Sequence, residues 1–327
     1  MIHSYKPVLA VILLLAMVAP AAAQGWLTRA AREFPMTDFS RTVIDLDEIM
    51  SGGPPRDGIP PIDQPAFRPI GPRIELGETE PVIGVIVEGE ARAYPLQILI
   101  WHEIVNDTLA GVPIAVTFCP LCNTGIVFDR RVGERVLDFG TTGRLRRSDL
   151  VMYDRQTESW WQQFLGQAVI GELTGTVLKV IPARLESYAK FRARAPQGLV
   201  MVPNGRHFRS YGSNPYAGYD SSTRPFLYRG EMPAGIAPLA RVVRVGARAW
   251  SLDLLRRSGR LEDGDLRLSW SAGQNSALDR PAIALGADVG NVVVEERVGD
   301  GWRDTAYSVD FAFAFKAFYP NAAIRLE

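Results

Sequence analysis

The chain has 327 residues, 47% hydrophobic and 22% charged, the make-up of a folded globular protein long enough for about two cores. Lys plus Arg (36) balances Asp plus Glu (36), so no net field recruits nucleic acid or an anionic membrane surface. Nucleic acid is set aside as a partner.

The first residues read as an export signal. His3 and Lys6 precede the apolar run Val8 to Pro20, and Ala21-Ala22-Ala23 before Gln24 fits a small-residue cleavage site, giving a signal peptide over residues 1–23. That run is shorter than the ~20 residues that span a bilayer, and no later run reaches that length. The expectation is a soluble, periplasmic or secreted protein starting near Gln24, with no membrane span. Thiols outside the cytoplasm oxidise unless a metal or a reductant holds them. The two cysteines of the chain, Cys119 and Cys122, are therefore a disulfide, a redox couple or a metal clasp.

Residues 24–75 read as an extended arm. Ser51 to Asp63 is too rich in proline and glycine for a helix or a ladder, and Phe67 and Ile70 supply anchors. From Val82 the pattern is regular. Val82 to Val87 is a strand, Gly89-Glu90 turns it, and Ala91 to Tyr94 completes a hairpin. Pro95 suits the first turn of a helix that runs through Leu96, Leu99, Ile100 and Ile104 to Asn106-Asp107, which cap its end. Val112 to Phe118 and Ile126 to Phe128 are strands on either side of the cysteines. Further strands are expected at 136–139, 150–153, 168–172 and 176–181, with Trp160-Trp161 as packing between them.

The order then recurs. Arg92-Ala93-Tyr94-Pro95-Leu96 is echoed by Arg248-Ala249-Trp250-Ser251-Leu252, and Phe128-Asp129-Arg130 by Leu278-Asp279-Arg280. Tyr188 to Pro196 is echoed by Phe311 to Pro320. The fold class read from this is α+β, strand-rich, with two related lobes from an internal duplication, 76–205 and 206–327. Aligned through these words, Cys119 and Cys122 fall opposite Ser269 and Ala272, and His102 opposite Ser258, so the second lobe lacks the Cys/His site. The Asp129-Arg130 pair recurs as Asp279-Arg280, which points to a structural ion pair.

Cys119-Pro120-Leu121-Cys122 lies between strands, so it is a turn with both sulfurs on one side, a geometry suited to metal. His102 is the candidate third ligand, and two thiolates with an imidazole suit copper or zinc. His207, in a turn-like segment, is a weaker candidate. The rival is a thiol–disulfide couple. A thioredoxin fold does not fit, because Asn123 to Phe128 is a poor helix where that fold starts one. Covalent haem is excluded on the standard motif, since Asn123 stands where a histidine is required. A structural disulfide is the third reading. Glu103 is placed to orient His102 or to act as a base, and Asp154, with no partner in the second lobe, is a second catalytic candidate. Arg144 and Arg147, with Arg146 between them, either contact an anionic substrate or form a solvated basic loop. A small molecule or a metal donor is the partner class these readings imply. No nucleotide-binding glycine loop, Gly-x-Ser-x-Gly elbow or His-Glu-x-x-His helix is present.

Five words in order carry a resemblance: Arg92 to Leu96 (RAYPL), Trp101 to Asp107 (WHEIVND), Cys119 to Cys122 (CPLC), Ser148 to Thr157 (SDLVMYDRQT) and Gly171 to Gly175 (GELTG). With them the chain resembles the prokaryotic family called domain of unknown function 3179, from about Asp57 to Pro320. That resemblance implies no activity.

Overall fold

A computed structural model describes residues 21–205 and 209–327, and the segment read as a signal peptide lies almost wholly outside them. Two compact units divide the chain, 1–35 and 36–327. In the first, the helix α1 (Ala21–Glu33) occupies the start of the stretch expected to be extended. No described helix is long and apolar enough to cross a membrane.

The second unit is strand-rich α+β. Its first part runs β1 (Ile49–Ser51), β2 (Ala66–Pro69), β3 (Pro81–Val87), β4 (Glu90–Pro95), α2 (Leu96–His102), β5 (Ile104–Leu109), β6 (Val112–Cys119) and β7 (Thr124–Asp129). A two-residue hairpin, β8 (Arg131–Val132) and β9 (Arg135–Val136), leads to β10 (Phe139–Arg146), β11 (Asp149–Asp154), β12 (Trp160–Gln162) and β13 (Gln167–Ile170). Then come β14 (Val180–Ile181), β15 (Ala183–Ser187), α3 (Tyr188–Arg194) and β16 (Leu199–Val202). The second part is β17 (Arg241–Val245), β18 (Arg248–Ser251), α4 (Leu252–Ser258), β19 (Arg260–Asp263), β20 (Leu266–Ser271), β21 (Asn291–Val298), β22 (Gly301–Asp304), β23 (Ser308–Phe311), α5 (Ala312–Phe318) and β24 (Ile324–Arg325).

Strand order pairs the two parts. One sheet is β15-β3-β4-β16, extended by β2, and its counterpart is β23-β17-β18-β24. In each the last two of these four strands run parallel, β16 with β4 and β24 with β18. The sheet β14-β7-β6-β5 is likewise matched by β22-β21-β20-β19. Side chains follow: the Tyr94 hydroxyl donates to Asp107 on β5 at 2.6 Å, and the Trp250 indole N–H donates to Asp263 on β19 at 3.0 Å.

Register moves two of the sequence alignments. Ile104 pairs with Thr117 and Arg260 with Ser269, so the counterpart of Cys119 is Ser271, two residues beyond the expected Ser269. Asp279 lies in the connection between β20 and β21, not at a strand end like Asp129, so the two Asp-Arg words are not equivalent. Asp129 instead pairs with Arg131 at 2.5 Å, and Arg130 with Asp138. The helix after Pro95 also stops earlier than its spacing suggested. Ile104, Val105 and Thr108 are β-branched and belong to a strand, so Asn106 and Asp107 sit in β5 and cap nothing.

The five-stranded sheet β1-β10-β11-β12-β13 has no counterpart. Its strands β10 to β13 are inserted between β7 and β14, where the second part has only the tight β21–β22 hairpin closed by Val298 and Gly301, and β1 joins them from the preceding arm. The proline-rich segment fastens to this insert. Asp57 takes the Tyr153 hydroxyl at 2.6 Å, and Gly52 N–H donates to Gly143 O at 2.9 Å. Gly143 has φ +68 at a bulge of β10, and a Cβ there would lie 1.9 Å from Pro54 O. Gly143→Ala is therefore expected to destabilise the protein by at least about 2 kcal/mol and to open residues 52–60 to protease, measured by denaturant unfolding and limited proteolysis.

Candidate functional site

The hairpin β6–β7 closes on Cys119 and Thr124, which pair across it. Pro120 suits the second position of the turn, and Asn123, of a type that tolerates left-handed backbone, takes φ 53. Cys122 N–H donates to Cys119 O at 3.3 Å, and the Asn123 side chain is held by Val309 O at 2.8 Å. Both cysteines are free thiols and buried. The expected knuckle is present.

The inserted sheet supplies the facing wall. The β10–β11 hairpin turns on Arg147 and Ser148, both at positive φ (54 and 68), where such a two-residue turn favours Asn-Gly. This turn delivers the start of β11 to the knuckle. Cys122 Sγ donates to Ser148 O at 3.5 Å, and one ligand atom each of Cys119, Cys122 and Asp149 lie within 4.8 Å of one another. Asp149 is fully buried. Its Oδ1 accepts from Gln162 Nε2 at 2.5 Å and from Phe164 N–H at 3.0 Å, while Oδ2 has no hydrogen-bond partner.

Glu103, at the end of α2, is the second buried acid here. Burial, then the charge of Asp149, pushes its carboxyl up to about 8, and burial pushes Asp149 up to about 7. Burial also pushes the Cys119 thiol up and Cys122 well above the ordinary range. Arg146 reaches Asp149 through Gln162 and is itself paired with Glu48 at 3.0 Å. Four acidic groups thus crowd one buried place, and neither Asp149 nor Glu103 bonds a cation among the described residues.

A tyrosine-rich strap covers the site. Trp101 Nε1 donates to Ser213 O at 3.3 Å, and Tyr219 donates to Leu121 O at 3.1 Å and accepts from Phe226 N–H at 3.2 Å. Ser148 Oγ donates to Phe226 O at 2.5 Å. Tyr216 and Tyr219 lie close enough to the acids that burial, and then the neighbouring Glu103 or cysteine charges, raise their hydroxyls.

The sequence-predicted residues divide. Cys119 and Cys122 come together as expected. His102 does not join them. Its Nδ1 sits 2.7 Å from Pro60 O, which can only accept, so Nδ1 carries the proton and Nε2 accepts from Tyr211 Oη at 2.9 Å. The lone pair a metal would need is therefore engaged, and the imidazole fastens the arm and the strap to α2. Glu103 belongs to the site. Asp154 stands at the other end of β11 from Asp149, about 16 Å away by strand rise. Both its oxygens are occupied, by Thr157 N–H at 2.7 Å, Thr157 Oγ1 at 2.9 Å and Trp161 Nε1 at 2.9 Å, so it braces a turn.

Arg144 and Arg146 are buried on β10, so this stretch is not a solvated loop. Arg144 donates to Thr142 O at 3.3 Å, and Arg147 donates to Glu48 at 2.7 Å beside a cavity of about 360 Å³. His207 lies outside the described residues. Sequence reasoning missed Asp149, Ser148, Tyr216 and Tyr219. Asp149 stood inside the word SDLVMYDRQT, and the tyrosine spacing 211, 216, 219, 228 in a Gly/Ser/Pro stretch was the available signal for the strap.

Backbone strain marks the same place. Nine non-glycine described residues have positive φ, and Glu103, Asn123, Arg147, Ser148 and Leu227 all lie in segments that build the site or its cover. Such residues cost of order 1 kcal/mol each, and five of the nine fall in the segments around this group.

The chain matches the family described as protein of unknown function (DUF3179) over residues 56–322 and belongs to it. No curated protein and no solved structure matches the chain.

The pH dependence of stability follows from the two buried carboxyls. Each has a folded value above its unfolded one, so the folded state binds more protons between about 4 and about 8. Without metal, stability is expected to fall as pH rises through that window, by on the order of a few kcal/mol, and the double variant Glu103→Gln, Asp149→Asn is expected to flatten the slope. Urea unfolding from pH 4.5 to pH 8.5, as chosen conditions, measures it.

Proposed function

For a member of a family whose description names no activity, we propose a soft-metal site formed by Cys119, Cys122 and Asp149, with an open fourth position. The observation that carries this reading is the group itself: two thiols and one oxygen of the buried Asp149 carboxylate within 4.8 Å of one another. Four uncompensated acids are costly to bury, and a divalent cation that removes the thiol protons offsets that cost. Two sulfurs and one oxygen suit zinc better than copper(I), because a carboxylate is a hard donor. Three protein ligands with one open position is the form of a catalytic or metal-delivery site. In an exported protein the same coordination would keep the thiols reduced. The shared strand order supports a further part of this reading: the two parts of the chain arose by duplication, and the inserted sheet, by carrying Asp149 to one knuckle, left the other part without a site.

A second reading is supported by the same proximity. The Asp149 carboxylate beside the two thiols suits a proton acceptor in thiol–disulfide exchange, though the upward shift of both thiols opposes a ready thiolate.

Cobalt(II) or zinc titration of the reduced protein tests the choice. The metal reading expects one equivalent bound, with thiolate-to-cobalt charge-transfer absorption, and a loss of roughly a hundredfold or more in affinity for Cys119→Ser and Asp149→Asn. His102→Ala is expected to change affinity by less than about tenfold, because that imidazole is committed to Pro60 and Tyr211. Absence of binding, with thiols that cycle reversibly in a glutathione buffer, would favour the second reading.

A further inference from the structure

Glu103 combines two destabilising features for which the fold gives no return. It ends α2 in left-handed backbone, φ 60 and ψ −31, a conformation that favours glycine. At the matching point of the second part, after α4, that residue is glycine: Gly259, φ 68 and ψ −38. The backbone work is the same at both. Glu103 N–H donates to Leu99 O at 2.7 Å and Gly259 N–H to Leu255 O at 2.8 Å, and each carbonyl accepts at 2.8 Å, from Phe118 N–H and Trp270 N–H. Glycine therefore serves the turn fully, and the glutamate adds only its side chain.

Glu103 is 7% exposed, and its side chain makes no hydrogen bond among the described residues. Its charged neighbours are Asp149 and Cys119, both acidic, and Tyr216 packs near it. Glu88, another left-handed glutamate, is exposed in the β3–β4 turn, so water solvates it and it needs no such account. Glu103 is not one of the three groups that meet within 4.8 Å, but it is a charged neighbour of two of them, Asp149 and Cys119.

We infer that Glu103 is retained for the site and not for the fold: its carboxylate accepts a hydrogen bond from a neutral donor, a water or an amide N–H, seated at the fourth position of the metal group. This rests on the metal reading above. The surroundings set the ligand class. Two carboxylates and two sulfurs repel an anion from that position, and only a donor hydrogen satisfies an unpartnered carboxylate oxygen. Glu103 thus selects neutral hydrogen-bond donors over anions.

Two variants of the full chain test this, Glu103→Gly and Glu103→Gln. The first removes both the strained backbone and the buried acid, so its melting temperature is expected to rise by a few degrees over the parent. A fall in melting temperature for Glu103→Gly would mean that the glutamate serves packing, and would overturn the inference. The second measurement is azide binding to the cobalt-loaded proteins, read from the cobalt visible bands. At a chosen pH of about 9, where Glu103 is ionised, removing the carboxylate's repulsion is expected to strengthen azide binding by about tenfold or more in both variants. Azide affinity within twofold of the parent in both would also overturn it. If the parent binds no cobalt, the metal reading fails and this inference falls with it. If the parent binds cobalt and azide affinity is unchanged in both variants, the metal reading stands and the inference alone is overturned.

Discussion

Desolvation of acids organises this protein. Cys119, Cys122 and Asp149 lie out of reach of water and Glu103 nearly so, and no side-chain cation is bonded to either carboxylate among the described residues. In that environment each group resists ionisation, which is why the carboxyls titrate near 7 and 8 instead of near 4. A fold that needed only packing would place apolar side chains there. Instead, four ionisable groups arrive from three separate pieces of chain: the end of α2, the β6–β7 knuckle and the first residue of β11. The bedding of Asp149 is specific, with Gln162 and Phe164 N–H on one oxygen and the carboxylate as a whole beside the sulfurs.

The surrounding architecture reads as support for that crowding. The insert brings Asp149 in on a turn of two left-handed residues, neither of them glycine. The strap shuts the site through Tyr219, which bridges Leu121 of the knuckle and Phe226. His102, fixed as the Nδ1–H tautomer by Pro60 O, is the rivet between α2, the arm and the strap. Both of its ring nitrogens are committed to these contacts, one residue away from the buried Glu103.

Much of this was legible in the sequence. The alternation of apolar residues gave β3, β4, β6 and β11 nearly to the residue, and the echoes between Arg92-Ala93-Tyr94 and Arg248-Ala249-Trp250 located matching hairpins. The knuckle followed from two cysteines between strands. What failed depended on distance in three dimensions. His102 was chosen because it is close to Cys119 in the chain, yet its helix ends by turning the ring toward Pro60. The closeness of Asp149 to the thiols was not legible because 27 positions of chain separate it from Cys122 and it reaches them on a strand of another sheet. The alignment through Asp279 slipped because the β20–β21 connection is long where the knuckle is short, and counting residues cannot register that difference.

X-ray absorption at the zinc edge of the zinc-loaded protein tests the central claim most directly. Two sulfur scatterers at about 2.3 Å and oxygen at about 2.0 Å, with no imidazole signature, are what the buried group of Cys119, Cys122 and Asp149 predicts. A spectrum showing a coordinated imidazole, or zinc that dialyses away from the reduced protein, would contradict it.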